Sequence, residues 1–291
     1  MKTGICSDQF VRCHGFSIDA AYARIRELGY DTTDESLART DEQWYHDTAV
    51  MEKYCAQIRA AAEKHGIEIS QVHGPWPTKD TTEESRTQVW EFMHRAVYGT
   101  YLMGAKHLVI HPQMPFGHNP QDEDADAAEA MTVALMRDLM PDCEKYGVTL
   151  CLENMPFLNQ RISVIERIVA AVAQVDSPNI GICLDTGHVN VFKGQDLGEA
   201  VRIAAPYLKV LHIHDNDGRR DAHRLPYLGT ADWDSFAKAL AEIGYTGTLS
   251  LETSGSVSPS LPPEISALGE VQTAAVARHL ADEVERYKKI H

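Results

Sequence analysis

The chain has 291 residues, 44% hydrophobic and 24% charged, an ordinary globular composition long enough for one large α/β domain or two small ones. Its formal charge of -15 disfavours broad binding to nucleic acid or anionic membranes, although bound divalent cations offset such charge locally. No run approaches about 18 uninterrupted apolar residues, and the opening MKTGICSDQF lacks the apolar core of a secretory signal, so a cytoplasmic location is expected.

In chain order, β-rich runs fall at Thr3–Cys6, Tyr30–Asp34, Glu68–His73, His107–His111, Thr149–Glu153, Gly181–Asp185, Lys209–His214 and Thr248–Glu252. Amphipathic helical stretches follow each in turn, at Ile18–Leu28, Asp41–His65, Glu83–Met103, Ala125–Tyr146, Ile162–Val175, Asp196–Ala204, Asp234–Ile243 and Glu264–Lys289. Gly29, Gly66, Gly104, Gly147 and Gly244 stand just before the next strand, where a helix ends on a left-handed residue. Eight βα units in a chain of this length describe a TIM (β/α)8 barrel, expected as a single domain over residues 1–291. The polar run YDTTD is the least strand-like of the eight, and SGSVSPSLPPE after the last strand reads as a loop at the barrel mouth. Cys6, Cys13, Cys55, Cys143, Cys151 and Cys183 show no Cys-x-x-Cys spacing and read as reduced thiols.

In such a barrel the strand C-termini form the active face. Here the third to eighth strands end in His73, His111, Glu153, Asp185, His214 and Glu252. The alternate positions in the last five are apolar, as in Leu150 and Leu152 or Leu211 and Ile213, which turns the titratable residues inward to one rim. Carboxylates crowded into a shared, partly desolvated pocket repel unless a cation sits among them. Glu153, Asp185, His214 and Glu252 make a mixed nitrogen and oxygen shell suited to Mn²⁺, Mg²⁺, Co²⁺ or Zn²⁺, with no thiolate to force zinc. His188, three residues past Asp185, can return over the site as a ligand of substrate or of a second metal, while Asp221 and His223 form an Asp-x-His pair on the loop after the seventh strand. His212 lies one layer below His214 and reads as a satisfied core histidine. Arg219 and Arg220 are placed to clamp substrate oxygens or to stay solvated, and Trp76, Phe116 and Phe157 either wall a sugar or pack their own loops.

The segments CLENMP, ICLDTGH, LHIHDNDG with DAH, and LSLET resemble the xylose isomerase-like TIM-barrel superfamily of sugar isomerases and epimerases, inosose-converting enzymes and endonuclease IV. Similarity to ketose 3-epimerases implies one divalent metal on Glu153, Asp185, His214 and Glu252, with Glu153 and Glu252 as acid and base on opposite substrate faces. It also implies substrate contacts from His188 and Arg220, with His73 and His111 as further rim contacts. One departure is Asn159, where those epimerases usually carry a further glutamate. Similarity to endonuclease IV implies instead a three-zinc cluster on His73, His111, Glu153, Asp185, His188, His214, Asp221, His223 and Glu252. The opening typical of those nucleases is missing, and no basic, aromatic-interleaved stretch is present to enter a DNA groove.

The expectation is therefore a metal-dependent isomerase or epimerase of a sugar, cyclitol or sugar phosphate. An abasic-site nuclease, a lyase or dehydratase on the same scaffold, and a non-catalytic sugar-binding protein are the alternatives. The expected partner is a small polyol or sugar, with neither membrane nor nucleic acid, and self-association into a homo-oligomer is left open.

Overall fold

The computed structural model describes residues 1–76, 83–113, 125–158, 160–192, 195–253 and 261–290. Its parallel strands are β1 (Thr3–Cys6), β2 (Thr32–Ser36), β3 (Glu68–His73), β4 (His107–Ile110), β5 (Thr149–Glu153), β6 (Ile180–Asp185), β7 (Leu208–His212) and β8 (Leu249–Leu251). They form one sheet in the order β7-β6-β5-β4-β3-β2-β1-β8, and a parallel bridge between Ile213 and Leu251 closes it. The surrounding helices are α1 (Ile18–Glu27), α2 (Thr48–His65), α3 (Glu83–Met103), α4 (Ala125–Tyr146), α5 (Ile165–Ala173), α6 (Thr186–Asn190), α7 (Leu197–Ala204), α8 (Trp233–Glu242) and α9 (Pro263–Lys288). This is a TIM barrel. None of the described helices is long and apolar enough to cross a membrane.

Strand alternation divides the buried residues into two sets. Leu108, Ile110, Leu150, Leu152, Ile182, Leu184, Leu211 and Ile213 join the large core between sheet and helices. Val109, Cys151, Cys183 and Val210 form a separate small cluster inside the barrel, one layer below the rim. The five glycines expected to end helices all have positive φ, between 64° and 85°. Cys6, Cys55, Cys143, Cys151 and Cys183 are free thiols.

Several element boundaries differ from the sequence expectation: β4, β7 and β8 end at Ile110, His212 and Leu251, so that His111, His214 and Glu252 stand one or two residues past their strands. β2 starts at Thr32 instead of Tyr30 and runs on to Ser36, with every residue buried. The run from Asp41 is not one helix: a 3-10 turn at Gln43–Tyr45 comes first, and α2 starts only after Asp47, whose extended backbone and Oδ1 cap the amide of Ala49 at 2.8 Å. The stretch from Ile162 likewise splits into a 3-10 turn at Arg161–Ser163 and α5, because the Ser163 carbonyl turns away to accept the amide of Met155 at 3.1 Å.

A polar strand is stable in the wall because its side chains find partners. The Tyr22 hydroxyl of α1 donates to Glu35 Oε1 at 2.7 Å, and burial pushes the Glu35 carboxyl up to about 8 from its ordinary 4.5. Glu35 therefore keeps its proton in the fold where the unfolded chain loses it. Stability accordingly falls as pH rises from about 4.5 to about 8, with a slope approaching ~1.4 kcal/mol per pH unit. Glu35→Gln, which still accepts from Tyr22, is expected to remove this contribution. Urea unfolding of both proteins at pH 5 and pH 8 measures it, and identical pH dependence would refute the assignment.

Candidate active site and metal centre

At the C-terminal rim the strand ends converge. A cavity of about 370 Å³ is lined by His73, Trp76, His111, Glu153, Phe157, His188, Asp221, His223 and Glu252, among others. A second lobe of about 290 Å³, lined by Cys6, Asp8, Gln9, Arg12 and Thr253, shares His223 and Glu252 with the first. Another cavity of similar size, about 390 Å³, opens at the other end of the barrel between α1 and α9 and holds none of the strand-end residues. Size alone does not mark the site; the titratable groups do.

Four ligand atoms of Glu153, Asp185, His212 and Glu252 lie within 4.8 Å of one another, as do those of His188, His214, Asp221 and His223. His214, expected among the first set, joins the second and touches the first through Asp185, whose Oδ2 is 3.0 Å from its Nε2. His73, His111 and Glu153 form a third group, with His111 Nε2 3.0 Å from Glu153 Oε2. The expected rim residues thus meet. Arg220 does not: it is exposed on its loop and is not among the residues lining the cavity, because the chain turns there to bring Asp221 inward instead. Trp76 and Phe157 stack at 6.5 Å between ring centroids, and Trp76 stands edge-on to His111. Phe116 and Asn159 lie outside the described residues.

Local folding explains the placement. Asp185 ends β6 and caps α6, its Oδ1 accepting the amide of His188 at 2.7 Å, so the expected tight turn is a short helix that brings His188 back over the rim. Gly187 lets this helix approach His214, since a Cβ there would lie 2.0 Å from His214 Cε1. Asn154 exchanges hydrogen bonds with the Asp185 backbone at 2.8 and 3.0 Å, locking the ends of β5 and β6 together. The Thr186 hydroxyl donates to the His214 carbonyl at 2.7 Å, and its oxygen lies 3.0 Å from the His214 amide. Asp215, fully buried, accepts from the amides of Asn216, Gly229, Thr230 and Ala231 and from Trp233 Nε1, all within 3.2 Å, and clasps the loop that carries Asp221 and His223.

The histidines are arranged to take up positive charge, as a proton or a metal ion. His73 Nδ1 faces the Gly74 carbonyl at 2.9 Å, His188 Nδ1 the Asn154 carbonyl at 2.7 Å, and His223 Nδ1 the Glu252 carbonyl at 2.9 Å. A carbonyl only accepts, so each Nδ1 holds the proton and a neutral ring presents its Nε2 lone pair to the site. Yet Asp221 Oδ2 lies 3.0 Å from His223 Nε2 and 3.4 Å from His188 Nε2. Lone pairs face carboxylate oxygens at that distance only with a positive charge between them, a proton or a metal ion. As bare groups the rings take the proton. Burial opposes it, but Asp185 and Asp221 push His188 up to about 9, and Asp221 and Glu252 push His223 up to about 10. Burial likewise opposes ionisation of Glu153, and His212 and His111 outweigh it to hold that carboxyl well below the usual range. Buried His111 Nδ1 and His214 Nδ1 have no hydrogen-bond partner among the described residues and add spare ligand capacity. The donor set fits a divalent cation.

Two residues with no assigned role at the rim belong to this network. His212 Nδ1 lies 2.9 Å from Glu153 Oε1 and its Nε2 2.9 Å from Asp34 Oδ2, so the core histidine joins a β2 carboxylate to the rim. Strand alternation gives the inward face of His212, but nothing local in the sequence signals Asp34 as its partner.

A family model described as a xylose isomerase-like TIM barrel matches residues 22–279. A ketose 3-epimerase from Arthrobacter globiformis is 29% identical over 273 residues, 86% of this chain and 86% of that protein. A D-psicose 3-epimerase from Ruminiclostridium cellulolyticum is 26% identical over 238 residues, 79% of this chain and 75% of that one. A probable endonuclease 4 from Ureaplasma urealyticum is 26% identical over 182 residues, 56% of each chain. Among solved structures, a D-tagatose 3-epimerase-like protein superimposes with a TM-score of 0.77 at 22% identity, covering 100% of both chains. An IOLI protein with a binding zinc atom does so with a TM-score of 0.74 at 19% identity, covering 99% of both.

Proposed function

The chain belongs to the xylose isomerase-like TIM-barrel family, and from that membership and its rim chemistry we propose that it is a divalent-metal-dependent isomerase or epimerase of a sugar or cyclitol. It would act by proton transfer at a carbon next to a carbonyl. The observation that carries the reading is the placement of Glu153 and Glu252, which end β5 and follow β8, line one cavity, and stand among histidines whose Nε2 atoms face it. The sequence relatives named as ketose and D-psicose 3-epimerases, at 29% and 26% identity, support the class of reaction.

Glu153, Asp185 and Glu252 would hold the ion together with His214, which adjoins that group through Asp185 Oδ2 at 3.0 Å, and the ion would supply Lewis-acid polarisation of a hydroxycarbonyl worth several kcal/mol toward an enediolate. The chain's own groups do the rest. The Glu252 side chain is 26% exposed and borders both lobes, so it is the carboxylate positioned to take a substrate proton. Glu153, 1% exposed beneath the cavity, meets the opposite face. His188, His73 and His111 offer ring nitrogens to substrate oxygens, and the Trp76–Phe157 stack shields one side from water.

In D₂O with Mn²⁺ or Co²⁺ and a panel of ketoses and inososes, the protein is expected to exchange a carbon-bound proton next to the carbonyl, and EDTA is expected to abolish the exchange. Isomerisation without solvent deuterium would indicate a hydride shift and remove the proton-transfer role of the glutamates. No exchange and no isomerisation across the panel would overturn the reading.

A second reading, a three-metal phosphodiesterase acting on abasic DNA, is favoured by one observation: His188, His214, Asp221 and His223 form a ligand group beside the first. Elemental analysis separates the two, with one tightly bound ion expected for the isomerase and three for the nuclease.

A further inference from the structure

Beneath the two glutamates lies a buried histidine that touches both. His212 Nδ1 is 2.9 Å from Glu153 Oε1 and 3.3 Å from Glu252 Oε2. On its far side Nε2 meets Asp34 Oδ2 at 2.9 Å, and Gln71 Nε2 donates to the same oxygen at 3.1 Å and to the Leu211 carbonyl at 3.2 Å. His212, Asp34 and Gln71 are all buried, with exposures of 0%, 2% and 0%. Both ring nitrogens lie at hydrogen-bond distance from carboxyl oxygens, Nδ1 from Glu153 and Nε2 from Asp34. The imidazole therefore cannot rotate or flip without losing a charged partner in a site closed to water. A chain of fixed groups, Gln71 to Asp34 to His212, ends on the two carboxylates assigned to acid and base.

We propose that His212, oriented by Asp34, is a positioning residue that sets the distance and facing of Glu153 and Glu252 so that they act in register on the two faces of one substrate carbon. This rests on the acid–base reading above. Its chemical content is a distinction between two events. Exchange of the carbon-bound proton with solvent needs one glutamate near the carbon. Inversion of that carbon needs both: one takes the proton from the first face, and the other delivers a different proton to the second before the first returns. A part that holds the two in register therefore affects inversion more than exchange.

The test uses two amide replacements that differ in where they place the donor. In His212→Asn the side-chain NH₂ occupies the position of Nδ1 and still donates to Glu153. In His212→Gln it reaches the position of Nε2, which leaves Glu153 without its donor and removes the 3.3 Å contact to Glu252. With metal saturating and confirmed by elemental analysis, and with far-UV spectra matching the parent, deuterium exchange and inversion are measured on the same substrate. His212→Gln is expected to lose inversion by about 10–100-fold, with exchange falling far less, so that exchange per inversion rises by about tenfold. His212→Asn is expected to keep the parental ratio within about twofold. An equal ratio in all three proteins would overturn the inference, since a merely structural histidine lowers both events together.

A second readout needs no sugar chemistry. In the Co²⁺-loaded proteins, the visible ligand-field spectrum and Co²⁺ affinity report the arrangement of the carboxylates directly. His212→Gln is expected to change the spectrum and weaken Co²⁺ by about tenfold or more, and His212→Asn to retain both. If the parent acts on no sugar, the functional reading fails while this measurement still decides the positioning role. Identical Co²⁺ spectra and affinities in the three proteins refute it.

Discussion

Replacing Glu252 by glutamine is expected to lower kcat by about a thousandfold or more while leaving the fold intact. The change conserves volume and removes a charge that, in the proposed mechanism, would both complete the ligand set and move the substrate proton. The main chain at this position is held independently of the side chain: the Glu252 amide donates to the Ile213 carbonyl at 3.0 Å, and the Glu252 carbonyl meets His223 Nδ1 at 2.9 Å. The carboxylate itself is partly exposed at the junction of the two cavity lobes. Turnover at saturating metal, with thermal unfolding as the control, measures the effect. Near-normal kcat in a metal-loaded Glu252→Gln protein would sink the assignment.

Asp215→Ala is expected to act on stability instead, by about 3 kcal/mol or more. The buried carboxylate accepts from four backbone amides and the Trp233 indole at 2.8 to 3.2 Å, and alanine leaves four of the five donors without an acceptor, the Thr230 amide keeping the Asn216 carbonyl at 2.9 Å. At the usual few degrees per kcal/mol for a chain of this size, Tm falls by about 6 °C or more. Asp215→Asn keeps an acceptor oxygen and is expected to lose less. Calorimetry of the two variants checks the order, and an alanine variant as stable as the parent would show that the loop is held by other contacts. The clasp also carries Asp221 and His223, so activity is expected to fall with stability.

How much of this was legible in the sequence depends on the range of each interaction. Glu153, Asp185 and Glu252 are readable because alternation along a strand turns every second residue inward, and a polar residue ending an apolar strand is a local signal. Asp34 is not, since it lies in a polar strand displaced by two residues from its expected start and meets His212 across 178 positions of chain. Asp215 stands in the quoted HDND motif, but its five donors gather only once the loop from Asn216 to Trp233 has closed. The family resemblance implies a substrate contact from Arg220, which the structure leaves exposed on its loop while the Asp221 carboxylate turns to His188. Spacing fixes neighbours along a strand and leaves the direction of a loop residue to contacts far away in sequence.

The way the barrel closes has a consequence for amide hydrogen exchange. β8 pairs with β1 through Thr3–Leu249, Gly4–Ser250 and Ile5–Leu251, but among the described residues it joins the β7 side only through the bridge from Ile213, just past β7, to Leu251. Two main-chain bonds make that join: the Ile213 amide donates to Ser250 at 2.8 Å and the Glu252 amide to Ile213 at 3.0 Å. His214 and Glu252 flank it, so the cavity straddles the thinnest part of the wall. A local opening at this seam breaks two bonds instead of a full ladder and separates these two residues without unfolding the rest. The Ile213 and Glu252 amides are therefore the reporters of a closed site, and any ligand that spans the join slows their exchange by its binding free energy.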